Sequence, residues 1–582
     1  MDGQVFKGAE GVFEAKKYKD LKEIVLNTKN VYGDRPAFKF KTDKPGELRE
    51  VLYKDYLDRV ICLSTALNSI GLENERIGVI GENRYEWEEA FLAIAAGTGL
   101  VVPLDKSLPE EEIFNLIERS SIKAIIFSGK YEETLKKAVE QKIGCLETLI
   151  SMDAEESTEE VKSQKELIEV GKQLIKNGAK TFEEHVIDPY ALGIMLFTSG
   201  TTSKSKAVML SQDNICSNIY DIARVVGINQ NDRLLSFLPL HHTFESTAGF
   251  LNSVAVGACV CFSDGIRYLA DNIKEYKITI LISVPLLFES MYKKVMQKIE
   301  AQGKMKKVSI GIKLSNALRK IGIDKRRIIF KELLDSFGGE LRMFISGAAA
   351  IDKATEKGFT DIGIDTFQGY GLTETSPVVA VECAKNRRLG SIGKLFPSLE
   401  GKVVDKNEQG IGELAVKGPS VMLGYYNNEE ATKEVLSEDG WFKTGDLGYF
   451  DKDGYFFITG RKKDVIVLKN GKNVYPEEIE ILINRIPGIK ESYVYGKPDP
   501  EDPIDLKVCA KVVYDTEIAE ETFGTTDEAQ IKEKIWKEIK EKVNKIMPTY
   551  KYIKELTITD KELIKTTTQK IKRFEEYKTV VK

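Results

Sequence analysis

The chain has 582 residues, a formal net charge of −5, 42% hydrophobic and 30% charged residues. That length exceeds what one core can fill and predicts roughly two to four compact units of ordinary globular composition. The mild acidity speaks against a dedicated nucleic-acid binder, and no apolar run approaches the roughly 20 residues that span a bilayer.

The opening stretch MDGQVFKGAEGVFEAKKYKD lacks the apolar core of a secretory signal, so a cytoplasmic location is expected. Next, YKDYLDRVICLSTALNSIG patterns as an amphipathic helix and RIGVIGE as a buried strand. WEEAFLAIAAGTG then reads as a helix ending in glycine, and LVVPLD and KAIIFSG as further strands. This alternation predicts an α/β fold with a mostly parallel sheet. The stretch from Met152 to Lys180, acidic and then lysine-rich, reads as a solvated surface helix.

A second strand–helix region runs through DRLLSFLPL, ACVCFSD and ITILISVP. A long basic helical segment follows, from Glu289 to Phe337, and then LRMFISGAA and IDTFQGYGLTE, each a strand entering a polar loop. Short strands and glycine turns dominate from Gly393. A boundary is expected near Gly460. It divides a large unit, residues 1–460, of mixed and parallel sheets layered with helices plus a β-rich part, from a small α+β unit, residues 461–582. The seven cysteines (Cys62, Cys145, Cys216, Cys259, Cys261, Cys383 and Cys509) form no CxxC pair and read as buried thiols. CVC at 259–261 reads as strand packing. Three histidines, His185, His241 and His242, leave little room for a histidine-built zinc site.

The most informative stretch is LFTSGTTSKSKAVML, Leu196 to Leu210. Glycine lets backbone N–H groups turn inward, hydroxyls add donors, and lysine adds mobile positive charge, a combination suited to polyphosphate. A lone Ser/Thr/Gly cluster is equally a polar surface turn. A Walker A loop is excluded, because the second glycine and the Ser/Thr after lysine are missing and both flanks read as strands. The remaining form is a phosphate loop at a hairpin tip.

Further along, YGLTET (Tyr370 to Thr375) offers an aromatic face, a glycine turn at Gly371, hydroxyls and the Glu374 carboxylate. KTGD ends in Asp446, and GRKKD supplies Arg461. In this order the motifs resemble the adenylate-forming superfamily of acyl-CoA synthetases, adenylation domains and luciferases. TSGTTSKSK is similar to its loop TSGTTGxPKG, departing at Ser203, Ser205 and Ala207. GWFKTGDLG, GRKKDVIV and the terminal TTTQKIKR match later motifs. LPLHHTFE, QGYGLTETSPV and the long basic segment look most like long-chain fatty acyl-CoA synthetases.

The resemblance implies ATP, Mg2+ and coenzyme A as reactants and cofactor: a carboxylate attacks the α-phosphate, and the thiol of coenzyme A then takes the acyl group. Thr198 and Glu374 would hold Mg2+. Ser199, Gly200, Thr201, Thr202 and Lys206 would enclose the β- and γ-phosphates, and Thr373 would touch the α-phosphate. Tyr370 and Gly371 would meet the adenine, lined by Gly347 and Ala348, and Asp446 with Arg461 would hold the ribose. Lys570 would bridge carboxylate and α-phosphate, although Gln569 stands where a glycine is usual. Lys463 matches the hinge of a small-domain rotation that brings Gly471 to the pantetheine tunnel. His242 would gate the acyl pocket, formed from TFESTAGFLNSVAVGA, whereas His241 reads as ordinary.

Two readings of the basic segment remain open: a solvated face, or a basic amphipathic helix that meets anionic lipid. The expected activity is ATP-dependent formation of fatty acyl-CoA from a medium- to long-chain acid. The alternatives are a fatty acyl-AMP ligase serving a carrier protein, an aryl-acid CoA ligase, and a nucleotide-binding scaffold without catalysis.

Overall fold

The computed structural model describes residues 4–42, 47–198, 205–499, 506–566 and 570–581. Two large sheets dominate. An eight-stranded sheet runs, in spatial order, Gly424–Tyr425, Lys206–Ser211, Leu192–Thr198, Leu100–Pro103, Arg76–Ile80, Ala124–Phe127, Thr148–Ser151 and Val161–Ser163. A nine-stranded sheet runs Lys394–Leu395, Val378–Val381, Asp365–Gly371, Met343–Ser346, Ile280–Ser283, Arg233–Ser236, Cys259–Phe262, Pro36–Lys41 and Leu48–Leu52. The central pairings in both are parallel, as the strand–helix alternation predicts; antiparallel strands close both edges of the nine-stranded sheet and one edge of the eight-stranded sheet, whose other edge strand, Val161–Ser163, pairs parallel.

Alternation along each strand divides the cores. Val260 and Phe262 enter one core while Cys259 and Cys261 enter another, and Ile280 and Ile282 part from Leu281 in the same way. Period-2 side-chain direction makes this unavoidable when helices cover both faces. The shared core joins Ile77, Val79 and Ile194 of one sheet to Val260, Ile280 and Ile345 of the other through the helices Tyr53–Ser69, Tyr85–Gly97 and Gln212–Val226. The CVC stretch is therefore strand packing, as expected. Six cysteines are buried, whereas Cys145 is exposed, which corrects the reading of all seven as buried.

The stretch 152–180 also differs from expectation. It contains the edge strand Val161–Ser163 and the helix Gln164–Lys176, whose Leu167 and Ile168 are buried. A Cβ on Gly171 would lie 1.8 Å from the carbonyl oxygen of Cys62, so glycine there allows this helix to press against Tyr53–Ser69. The surface reading gave weight to the charged face and missed the apolar stripe behind it.

A five-stranded antiparallel sheet contains Phe6–Lys7, Glu400–Val404, Gly412–Lys417, Phe442–Phe450 and Phe456–Arg461. The first core takes in residues up to Phe456, and a separate one begins at Ile466, built around the three-stranded sheet Ile489–Pro498, Leu506–Tyr514 and Glu555–Thr559.

Candidate active site

The strands Leu192–Thr198 and Lys206–Ser211 form an antiparallel hairpin with Thr198 opposite Lys206. The Thr198 hydroxyl donates to the Lys206 carbonyl at 3.3 Å. The hairpin is rooted by a capping box: Ser211 Oγ accepts from the Asn214 N–H and Asn214 Oδ1 accepts from the Ser211 N–H, which starts the helix Gln212–Val226. Ser199, Gly200, Thr201 and Thr202 lie outside the described residues, as does Gln569.

Lys206 and Glu374 meet through a residue the sequence did not single out. The Lys206 ammonium sits 4.6 Å from the centroid of the Tyr425 ring, and the Tyr425 hydroxyl donates to Glu374 Oε1 at 2.9 Å. Burial, followed by the Glu374 charge, pushes the Tyr425 phenol up, so it stays a donor. Tyr425 lies on the short edge strand beside the hairpin, where Val208 opposes it. Glu374 occupies the 3-10 turn Thr373–Thr375, and its carbonyl accepts from the Met422 N–H at 2.9 Å.

The ribose candidates are also joined. Tyr370 donates to Asp446 Oδ2 at 2.6 Å, and Arg461 Nε lies 2.9 Å from Asp446 Oδ1. Asp446 and Arg461 face each other across the strands Phe442–Phe450 and Phe456–Arg461, so sheet register brings them together. Gly371 admits no side chain, because a Cβ would stand 2.0 Å from the Pro377 carbonyl oxygen. Gly347 packs beneath the Phe244 ring, which a Cβ would meet at 2.7 Å, and the following Ala348 holds φ at +74°. A left-handed alanine of this kind is rare and marks a constrained loop.

Lys570 pairs with Thr566. Its carbonyl accepts from the Thr566 N–H at 2.8 Å, and its N–H donates to Thr566 Oγ1 at 3.2 Å. The residue is exposed at its surface, although protein surrounds it at longer range. That desolvation, followed by the positive charge of Arg461, pulls its pKa below the ordinary lysine range, against the opposing pull of Asp446 and Glu374. The fold thus gathers Lys570, Arg461, Asp446 and Glu374 in one electrostatic neighbourhood.

His242 belongs there too. Its pKa is pushed down to about 3 by burial, then by His241, with a further contribution from the Lys570 charge. The ring of the neighbouring His241 lies 4.2 Å away between centroids, tilted by 45°, and its Nε2 lies 3.4 Å from Asp105 Oδ2. The His242 carbonyl accepts the N–H groups of Glu245 and Ser246, opening the π-helical stretch Phe244–Leu251. Within this stretch, burial raises the pKa of Glu245 to about 8 and that of its fully buried neighbour Glu88 well above the usual range. Gly471 occupies a tight turn, φ +76°, between the strands Ile466–Val467 and Asn473–Val474. None of the hydrogen bonds or ion pairs described here ties Gly471 to the cluster.

The oxygen donors on Thr198 and Glu374 fit Mg2+, which binds through few protein ligands and keeps water and substrate phosphates as the rest. Lys206, Arg461 and Lys570 supply positive charge beside them. The arrangement can receive a polyphosphate next to a corner that offers an aromatic face, a carboxylate and a guanidinium.

Residues 26–426 match the model of the AMP-binding enzyme family, and residues 478–570 match that of the AMP-binding enzyme C-terminal domain. The chain is 31% identical over 510 residues to long-chain-fatty-acid–CoA ligase 6 of Mus musculus, covering 81% of this chain and 73% of that one. It is 29% identical over 477 residues to long-chain-fatty-acid–CoA ligase FadD15 of Mycobacterium bovis (78% and 76% covered). It is 26% identical over 567 residues to the chloroplastic long-chain-fatty-acid–[acyl-carrier-protein] ligase AEE15 of Arabidopsis thaliana (85% and 77% covered). Among solved structures, ATP-bound MatB from Rhodopseudomonas palustris aligns with a TM-score of 0.75 at 24% identity, covering 97% of this chain and all of that one. The anthranilate CoA ligase AuaEII with anthranoyl-AMP aligns with a TM-score of 0.75 at 20% identity (97% and 98% covered). With both family models matched along the chain that carries the Thr198–Lys206 hairpin and the Tyr370–Asp446–Arg461 corner, the chain belongs to the AMP-binding enzyme family, with the adenylate-forming fold.

Proposed function

We propose that the protein converts a medium- to long-chain fatty acid and ATP into acyl-AMP and pyrophosphate, then passes the acyl group to coenzyme A and releases AMP. What supports this reading is the pair of contact clusters Tyr370–Asp446–Arg461 and Lys206–Tyr425–Glu374, with Lys570, from the far end of the chain, coupled electrostatically to Arg461, Asp446, Glu374 and His242. A nucleotide-binding scaffold has no need of such a lysine.

In the first step a carboxylate oxygen attacks the α-phosphorus, and the bond to the pyrophosphate oxygen breaks. Two anions must meet, so the protein has to supply positive charge and alignment. Lys570 offers a cation that Arg461 and Lys463 have already made less comfortable with its own proton, and an incoming anion relieves that repulsion. Lys206 would meet the outer phosphates and Thr373 the α-phosphate. Tyr370, Gly371, Gly347 and Ala348 would bound the adenine, and Asp446 with Arg461 would hold the ribose hydroxyls. Thr198 and Glu374 would hold Mg2+, which when bound neutralises phosphate charge. Tyr425 fixes which oxygen of Glu374 points at its own hydroxyl.

In the second step the thiol sulfur attacks the acyl carbon and the bond to AMP breaks. Lys570 must leave to admit the thiol. The separate core that begins at Ile466 supports a mobile unit of residues 461–582, turning on Lys463 against residues 1–460 and bringing Gly471 toward the pantetheine. His242, kept neutral by burial, would line the path to an acyl pocket walled by Phe250, Leu251 and Val254, all buried.

The names of the relatives favour a fatty acid and leave two acceptors, coenzyme A and a carrier protein. An acid panel separates the readings: pyrophosphate release with aliphatic and aryl acids, then thioester formation with coenzyme A or a phosphopantetheinylated carrier. Fatty-acid-dependent pyrophosphate and acyl-CoA are expected; absence of acid-dependent pyrophosphate across the panel overturns the proposal.

The basic segment favours the lipid reading over the solvated one through one feature. On the helix Met305–Lys320 and just beyond it, Ile310, Leu314 and Ile321 are exposed to 67%, 54% and 70% on one face, flanked by Lys306, Lys307, Lys313 and Lys320. An aliphatic row edged by lysines suits peripheral contact with an anionic membrane, a source of fatty acid. No helix among the described residues is long and apolar enough to cross a membrane.

A further inference from the structure

We propose that Arg119 is a positioning residue for the nucleotide, clamping both strands of the hairpin that presents Thr198 and Lys206. Arg119 lies in the last turn of the helix Glu110–Ser120. Its Nη2 donates to the Ser205 carbonyl at 2.6 Å and its Nη1 to Ser205 Oγ at 3.2 Å. Its guanidinium carbon lies 5.5 Å from the centroid of the Phe197 ring. One side chain therefore holds the residue immediately before Thr198 and the residue immediately before Lys206. A planar guanidinium suits this, since it can donate in its plane while its face meets an aromatic ring.

The clamp has a firm base. The carbonyl of Ser120, next to Arg119, accepts from Arg76 Nη1 at 2.9 Å. Arg76 also donates to the Tyr426 hydroxyl at 2.7 Å, and the Tyr426 N–H donates to the Ala207 carbonyl at 2.8 Å. The end of the helix is thus tied to the hairpin on either side of Lys206.

The sequence explains why a clamp is wanted here. Ser205 stands where the family loop TSGTTGxPKG has proline. Proline fixes φ near −65° without outside help, whereas serine leaves that torsion free. Arg119 restores the stiffness through two hydrogen bonds to the same residue. A pre-ordered hairpin end loses less freedom when a polyphosphate binds, so the effect falls on nucleotide affinity.

The proposal rests on the nucleotide reading above. Its test is steady-state kinetics, MgATP binding and thermal melting of the full chain carrying Arg119→Ala, Arg119→Lys, Ser205→Pro, and each arginine change combined with Ser205→Pro. Loss of charged hydrogen bonds at Arg119→Ala is expected to raise KM for MgATP about tenfold. The kcat and the KM for the acid should stay within about twofold. Arg119→Lys should fall between, and in the Ser205→Pro background both losses should shrink below about threefold, since the proline supplies its own stiffness.

An unchanged KM for MgATP overturns the proposal. So does an undiminished loss in the proline background, or a uniform fall in melting temperature and every kinetic constant. If Arg119→Ala does not fold, Arg119→Lys with and without Ser205→Pro gives the same comparison. Failure of the unaltered chain to bind MgATP overturns the nucleotide reading as well; MgATP binding that ignores Arg119 overturns this inference alone.

Discussion

Arg485 donates from Nε to Asp352 Oδ1 at 2.6 Å, with Nη2 at the same distance from that oxygen, and so joins elements of two separate hydrophobic cores. Asp352 is the N-cap of the helix Lys353–Asp361, its other oxygen accepting from the Ala354 and Thr355 N–H groups. If the pair favours the arrangement in which Lys570 lies near Arg461, its loss should be felt in the first half-reaction. Arg485 is half exposed, so the pair is worth at most about 1 kcal/mol, up to about fivefold in rate. Arg485→Ala should slow acyl-AMP formation within that limit, while thioester formation from supplied acyl-AMP holds or rises. Single-turnover assays of each half check this. An equal fall in both halves would show a pair with no part in the switch.

Lys570→Ala should divide the two halves more sharply. Removing a charge that acts only on the adenylation transition state costs about a hundredfold or more in pyrophosphate release. Conversion of preformed acyl-AMP and coenzyme A to acyl-CoA should continue. Equal loss of both removes the assignment of Lys570 to the first step.

Glu374 and Tyr425 should act on one axis. Glu374→Gln should shift the Mg2+ titration of pyrophosphate release to higher concentration and slow the first half. Tyr425→Phe, which loses only the hydrogen bond to Glu374, should shift the same titration by about three- to tenfold without raising KM for the acid. A titration that ignores both variants rejects the magnesium assignment.

Glu245 gives a stability prediction. Its folded pKa, about 8, stands above the unfolded carboxyl value. Between these values the folded chain holds the proton and the unfolded chain does not, so stability falls as pH rises from about 4.5 to about 8. Glu88 faces it as a second buried carboxyl, and Ser236 offers the only opposing hydrogen bond among the causes that act on Glu245. Glu245→Gln should flatten that slope and raise the melting temperature by a few degrees at pH 8 relative to pH 5. Melting scans at one heating rate across this range test it; an unchanged slope contradicts the buried-acid account.

The helix Met305–Lys320 should bring the protein to anionic vesicles. Flotation with phosphatidylglycerol liposomes is expected at low salt and should weaken as salt screens the lysines. Ile310→Glu with Leu314→Glu should abolish it, both side chains being exposed and free to change without disturbing the core. No flotation of the unaltered protein at low salt returns the segment to a solvated face.

Local pattern was enough for the strands and their alternation with helices, because burial on one or both faces forces a period into the sequence. It was also enough for the hairpin around Thr198 and Lys206, since strand signals on both flanks leave a turn between them. It misjudged residues 152–180, where Gly171 and a narrow apolar stripe reveal packing only once the partner helix is placed. The contacts that define the site lie beyond local pattern altogether: Tyr425 to Glu374 spans 51 positions, Arg119 to Ser205 spans 86, and Tyr370 to Asp446 spans 76. Motifs could name some of these residues, but no spacing in one chain records which side chains will meet. Sheet order and register decide that, by carrying distant residues to the same edge at hydrogen-bond distance.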